Sequence, residues 1–243
     1  VDAGLTTTNV AKAITLGAGN DTITLGATTI GAGTIDGGAD TDTISITAAA
    51  AQTASGNTTF AGKVTNFEQL TLTGANATQT IDAAKLGNYN YVTVTAGAAG
   101  AAAGAAATTT LTGLTSGATI ALNDAVNTNN ANDTIVAIIK DAILVANTSD
   151  VLNIAISAKA ATAGAVADDN GTVTAAGVET INISVLDAVN EATVVGALVG
   201  DKNIAADTQN LTLQATSAKT ITITGDTALD LTNIANTAVS LID

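Results

Sequence analysis

Short alternations of apolar and small polar residues, uninterrupted by proline, recur from one end of this chain to the other. Examples are Thr22-Ile23-Thr24-Leu25, Thr43-Ile44-Ser45-Ile46, Gln69-Leu70-Thr71-Leu72, Tyr91-Val92-Thr93-Val94, Thr180-Ile181-Asn182-Ile183, Asn210-Leu211-Thr212-Leu213 and Thr220-Ile221-Thr222-Ile223. A period of two places Ile, Leu and Val on one face of a strand and Thr, Ser or Asn on the other. The β-branched hydroxyl of Thr suits that half-buried surface. With no proline in 243 residues, the turns between strands fall to Gly, Asn and Asp. These residues tolerate positive φ and let successive coils stack closely. The tracts centred on Leu211, Ile221 and Leu229 follow one another at steps of ten and eight residues, and elsewhere the step is nearer twenty. The pattern predicts an all-β chain, a β-solenoid or β-roll of short strands with at most one or two short helices. Tandem β-sandwiches are the alternative.

Two tracts interrupt the strand pattern. Residues 134–146 (TIVAIIKDAILVA) are apolar enough for a short helix and equally consistent with a buried strand. Asp82-Ala83-Ala84-Lys85-Leu86-Gly87 reads as one helical turn, with Asp82 capping backbone N–H groups and Gly87 ending it. Between Ala96 and Ala107, Gly100 and Gly104 stand in GxxxG spacing. Ala, Gly and Thr supply too little transfer energy for a membrane-spanning helix, so this tract reads as a small-residue loop or tight coil and predicts no transmembrane segment. It divides the chain into an N-terminal β region, 1–96, and a C-terminal region, 97–243, unless the stack is continuous.

Composition narrows the function. Seven lysines stand against 21 acidic residues, a net charge of −14, so nucleic acid would be repelled. His, Cys, Met and Trp are absent, and so is Arg. That removes imidazole and thiolate nucleophiles, His/Cys metal sites, disulfides and arginine clamps together. Glycoside hydrolysis by paired carboxylates needs a stacking aromatic, and only Phe60, Phe67, Tyr89 and Tyr91 are available. The two tyrosines can stack on a sugar or fill core and edge positions. The expectation is that the chain is not an enzyme. A mean hydropathy of +0.40 with 12% charged residues argues for a folded chain.

The chemistry that remains lies in the turns. Gly17-Ala18-Gly19-Asn20-Asp21-Thr22-Ile23 matches the core of the Gly-Gly-x-Gly-x-Asp-x-apolar repeat that binds calcium, with Leu16 in place of the first glycine. A second copy, Gly37-Gly38-Ala39-Asp40-Thr41-Asp42-Thr43-Ile44, follows 21 residues later with Asp40 in the second glycine's place. Glycines expose backbone carbonyls, aspartate supplies a carboxylate, and the next apolar residue anchors the turn on the core. Such hard oxygen donors suit Ca²⁺. The candidate ligand positions are therefore Gly17, Gly19, Asp21, Asp36, Gly38, Asp40 and Asp42, with a plain Gly/Asp turn as the competing reading. Asp133, in a partial third copy, and Asp168 and Asp169, in the acidic Asp168-Asp169-Asn170-Gly171 turn, are weaker candidates that compete with solvated turns. Of the acidic residues, 18 are Asp and three are Glu, which sets carboxylates on short stems. Clustered carboxylates such as Asp36, Asp40 and Asp42 repel one another and are relieved by a cation. At an affinity of roughly 10⁻⁴ to 10⁻³ M, millimolar calcium adds about 1 kcal/mol per site.

The GAGNDTI turn, the tracts Val64 to Leu72 and Ala176 to Ile183, and above all Asn210 to Val239 resemble bacterial surface-layer proteins of the Caulobacter type. The resemblance implies a secreted, calcium-binding β-solenoid whose copies tile into a crystalline coat on the cell surface, exported by a type I system. Its partners would be other copies of itself, with lipopolysaccharide or another cell-surface glycan as a further candidate. The long array of glycine-rich calcium repeats expected of that family is not in this sequence, nor is a recognisable export tail, so a lattice-forming fragment is expected. A calcium-dependent stalk or binding module of a type I secreted adhesin would carry the same turns and strands.

Overall fold

The computed structural model describes residues 2–3, 10–26, 30–74, 77–87, 89–95, 107–123, 134–144, 149–158, 168–187, 208–233, 236 and 241–242. In chain order the first elements are β1 (Asp2–Ala3), β2 (Ile14–Thr15), β3 (Thr22–Leu25), β4 (Ile35–Asp36), β5 (Thr43–Thr47), α1 (Ala48–Ser55), β6 (Val64–Thr65), β7 (Gln69–Thr73), β8 (Gln79–Asp82), α2 (Ala83–Leu86) and β9 (Tyr91–Val94). There follow β10 (Thr108–Leu114), β11 (Ala118–Leu122), β12 (Thr134–Ile139), β13 (Val151–Ala158), β14 (Asp168–Thr174), β15 (Thr180–Asp187), β16 (Gln209–Gln214), β17 (Thr220–Gly225), β18 (Leu229–Asn233) and β19 (Leu241–Ile242).

The odd-numbered strands form one ten-stranded sheet, β1-β3-β5-β7-β9-β11-β13-β15-β17-β19, in which all the pairings are parallel. The even-numbered strands form a three-stranded parallel sheet, β2-β4-β6, and a six-stranded parallel sheet, β8 to β18. The chain thus winds as a parallel β-solenoid, each circuit laying down one strand per sheet. A circuit is 21 residues long from Thr22 to Thr43 and 40 from Thr180 to Thr220.

Register stacks like on like. Ile23, Ile44, Leu70, Val92, Ile120, Ile154 and Ile183 form one inward column, and Leu25, Ile46, Leu72, Val94, Leu122, Ile156 and Val185 a second. Every one of these side chains is buried. They meet Ile35, Ile81, Leu111, Val173 and Leu213 of the shorter sheets in one core. Each buried aliphatic side chain contributes about 1.5–3 kcal/mol, which offsets the small size of the residues.

The helix α1, absent from the sequence reading, explains why the second wall is split in two. Thr47 leaves β5 extended and its Oγ1 accepts the N–H of Ala50 at 3.2 Å, starting the helix. Its buried residues, Ala48, Ala51, Ala54 and Ser55, lie on the face that packs on β8, the last strand of the six-stranded sheet, and on α2. Alanine lets the helix approach closely and cover a sheet edge that would otherwise stay open.

One open alternative is decided and two local expectations are corrected. The apolar tract from Thr134 is strand β12 followed by a turn over 140–143, because its alternate residues Ala137 and Ile139 continue the core beside β10. Asp82 precedes α2 as expected, but its side chain caps no backbone N–H and instead pairs with Lys85 Nζ at 3.2 Å. The tract Asp168 to Gly171 is a strand segment broken by an irregularity between Asp169 and Thr172, with Gly171 at φ +69°, and not a corner turn.

Candidate functional site

The two glycine and aspartate turns stack directly upon each other. The first joins β2 to β3 through Leu16 to Asp21, and the second joins β4 to β5 through Gly37 to Asp42. The N–H of Leu16 donates to the Asp36 carbonyl at 3.0 Å, that of Ala39 to the Gly17 carbonyl at 2.9 Å, and that of Thr43 to the Asp21 carbonyl at 2.8 Å. Equivalent residues share a conformation. Gly17 and Gly38 have φ of +108° and +110°, and Gly19 and Asp40 have +103° and +80°. Left-handed backbone disfavours a side chain at Asp40, yet its Oδ2 accepts the N–H of Gly19 at 3.0 Å and holds the turn together. In the third coil the corner shortens to Asn66-Phe67-Glu68, with Asn66 at φ +56°.

Three carboxylates line up where this corner enters the ten-stranded sheet. Asp21, Asp42 and Glu68 immediately precede β3, β5 and β7, about 4.8 Å apart by strand spacing. The N–H of Asp21 donates to Asp42 Oδ1 at 2.8 Å, and the N–H of Asp42 donates to Glu68 Oε2 at 2.8 Å. Asp42 and Glu68 thus each satisfy a backbone donor of the coil before them. Asp42 is 0% exposed and its Oδ2 has no hydrogen-bond partner. A Cβ on Gly37 would lie 2.8 Å from that Oδ2 and 2.0 Å from the Asn66 carbonyl oxygen. Glycine at 37 therefore lets a buried carboxylate oxygen and a carbonyl oxygen approach the same point of the backbone, where any side chain would collide with both.

The other candidates are distributed differently. Asp36 lies half-buried on β4, where its Oδ1 accepts from Asn66 Nδ2 at 2.8 Å. Asp40 is exposed, so Asp36, Asp40 and Asp42 do not converge. Among the described residues no group of three or more acidic side chains is arranged to hold a metal ion. An ion at this corner would draw on Asp42 Oδ2 and on carbonyls such as that of Asn66, an all-oxygen donor set that suits a hard cation. Asp168 opens β14 opposite Gln209, and Asp169 Oδ1 accepts the N–H of Gly171 at 2.8 Å. Asp133 lies outside the described residues.

The same carboxylate device recurs farther along the stack, at residues the sequence reading did not single out. Asp150 and Glu179 precede β13 and β15, and the N–H of Asp150 donates to Glu179 Oε2 at 3.0 Å. The N–H groups of Glu179 and Thr180 both return to the Asp150 carbonyl at 3.2 and 3.0 Å. Those of Glu68 and Gln69 reach the Asp42 carbonyl in the same way at 3.1 and 3.0 Å. Asp150 is also buried, with Oδ2 unpartnered. The signal was in the sequence: Phe67-Glu68-Gln69-Leu70-Thr71-Leu72 and Val178-Glu179-Thr180-Ile181-Asn182-Ile183 share one pattern, an apolar residue and a glutamate before the strand.

Tyr89 fills the core rather than a sugar-stacking surface. It is buried, its hydroxyl has no partner, and its ring lies where a Cβ on Gly87 would come within 2.8 Å. Burial, and then the charge of Glu68, push the phenol's pKa well above its ordinary value, so it stays neutral.

No family model matches the chain, and no curated protein matches it significantly. No helix among the described residues is long and apolar enough to cross a membrane.

Proposed function

We propose that the chain is a structural subunit of a calcium-stabilised, self-assembling extracellular coat of the surface-layer kind. The observation that carries the reading is the stacked pair of turns, Gly17 to Asp21 beneath Gly37 to Asp42. Positive φ repeats there at the same places, Gly17 with Gly38 and Gly19 with Asp40, and the buried Asp42 Oδ2 stands unpartnered near the Asn66 carbonyl. A buried carboxylate oxygen with no donor is costly, and a bound divalent cation removes that cost. A solenoid of continuous sheets, without His, Cys or Arg, suits a scaffold better than a catalyst.

Calcium titration followed by light scattering and electron microscopy of the product tests the proposal. Ordered assemblies should appear with millimolar calcium and disperse with EGTA. A monomer that binds calcium and stays monomeric would point to the adhesin stalk instead, and assembly indifferent to EGTA would overturn the role of calcium. Asp42→Ala is a poor probe because it also strips the acceptor from the Asp21 N–H. Asp42→Asn keeps an oxygen acceptor and removes the charge, so it should leave calcium-free stability within about 1 kcal/mol and abolish most of the calcium-dependent increment.

A further inference from the structure

Among the described residues, the outward face of strands β3 to β17 in the ten-stranded sheet carries no charge. From Thr22 on β3 to Thr224 on β17, every outward position of the ten-stranded sheet is Thr, Ser, Asn, Gln, Ala, Val, Tyr or Leu. Thr24, Ser45, Thr71 and Thr93 stand side by side along one row. Charges lie at its rim and elsewhere: Asp2 stands on the edge strand β1 opposite Thr22, Glu68, Lys219 and Asp226 are exposed at strand ends, Asp40 and Asp141 are exposed at corners, and Asp230 is exposed on β18 of the six-stranded sheet. In a chain of net charge −14 this is a strong asymmetry.

The polar groups of this face are already partly satisfied along the sheet. Asn182 Nδ2 donates to Asn153 Oδ1 at 2.9 Å, Asn153 Nδ2 to the Gly117 carbonyl at 2.9 Å, and Thr43 Oγ1 to Gln69 Oε1 at 3.4 Å. Covering them therefore desolvates fewer free donors than an ordinary polar surface would. Leu186, 54% exposed, adds apolar area on the same side. Eight strands at about 4.8 Å spacing, each presenting about 13–20 Å of length, give roughly 500–700 Å² per copy. Two such faces together bury about 1,000–1,400 Å², enough for a specific if modest contact.

We infer that the outward face of the ten-stranded sheet is where a second copy of this chain docks, sheet against sheet. Two polyanions that approach by a corner bring carboxylates together within the screening length of about 8–10 Å, and approach by this face does not. The inference rests on the self-assembly reading and fixes the surface that assembly uses.

Sedimentation velocity and light scattering over a concentration series, in calcium and in EGTA, test it on four proteins. These are the unaltered chain, Thr71→Glu/Thr93→Glu, Thr71→Lys/Thr93→Lys, and a control on the outward side of the six-stranded sheet, Thr110→Glu/Thr174→Glu. Circular dichroism checks that each is folded. Both variants of the ten-stranded face should weaken association at least about tenfold, about 1.4 kcal/mol, and the control should leave it unchanged. The lysine pair makes the chain less anionic, so a pure net-charge effect would strengthen association and overturn the inference. Undiminished association of both face variants, or equal loss in the control, would overturn it as well while leaving self-assembly standing. An unaltered chain that stays monomeric in calcium at every concentration would remove the self-assembly reading and the inference together.

Discussion

The backbone N–H of Asp42 donates to Glu68 Oε2 at 2.8 Å, across a gap of 26 residues in sequence and one coil in space. Asp150 and Glu179 repeat the relationship across 29 residues. At each place an acidic residue just before a strand of the ten-stranded sheet takes the one donor that the parallel ladder leaves over as the chain turns the corner. Carboxylates in these corners are thus structural acceptors first. Any cation they bind has to use the oxygen that remains, as at Asp42.

Glu179→Ala should lower stability by about 1–3 kcal/mol, because the buried Asp150 N–H loses its acceptor. Glu179→Gln keeps an oxygen in reach and should cost less. Urea denaturation gives the free energies, and faster amide exchange at Asp150 in the alanine variant identifies the cause. Unchanged exchange there would mean that the N–H finds another partner.

Gly17 and Gly38 share a backbone conformation but not a setting, which separates strain from collision. A Cβ on Gly17 meets nothing within 4 Å, whereas one on Gly38 would fall 1.8 Å from the Gly17 carbonyl oxygen. Both alanine variants carry the left-handed penalty of roughly 1–2 kcal/mol. Gly38→Ala should lose at least about 2 kcal/mol more, since the two coils must part. Equal losses in thermal or urea unfolding would show that the coils are not in contact at this corner.

Thr47→Ala should remove the cap of α1 at a cost of about 1 kcal/mol, since the Ala50 N–H then loses the Oγ1 that accepts it. The cost should be confined to Thr47. Thr24→Ala, at an exposed outward position of the same sheet with no helix to start, should change stability by less than about 0.5 kcal/mol.

How far the sequence disclosed this fold depended on whether the alternation was clean. The tracts at Ile23, Ile44, Leu70, Val92, Ile181 and Ile221 all became strands of the ten-stranded sheet, because each alternation puts aliphatic residues at its inward positions. Strand β10 was hidden by Thr109, a hydroxyl residue buried at an inward position, and β14 by the irregularity around Gly171. The helix α1 was hidden because a run of alanines carries no amphipathic pattern, so only the preceding Thr47 announced it. At the corner, Gly17, Gly38, Asp21 and Asp42 were legible from a local motif. Glu68 has a signal only in the pattern it shares with Glu179, an apolar residue and a glutamate before a strand, and the donor it serves lies one coil away, which no local motif expresses.

Tyr89 gives the fold a sensitivity to alkaline pH. Its phenol, which ordinarily ionises near 10.0, is held neutral by burial and by Glu68. Above about pH 10 the unfolded chain gives up that proton and the folded chain keeps it. The stabilisation is therefore complete below the unfolded value and is lost as pH rises, by at most about 1.4 kcal/mol per unit. Tyr89→Phe removes the titrating group and the unpartnered hydroxyl together, so it should change stability by less than about 1 kcal/mol at neutral pH. The same variant should show a flatter decline above about pH 10 than the unaltered chain. Urea unfolding measured at steps from neutral to alkaline pH compares the two slopes. Parallel slopes would mean that the phenol reaches water in the folded chain, which is incompatible with its place against Gly87 in the core.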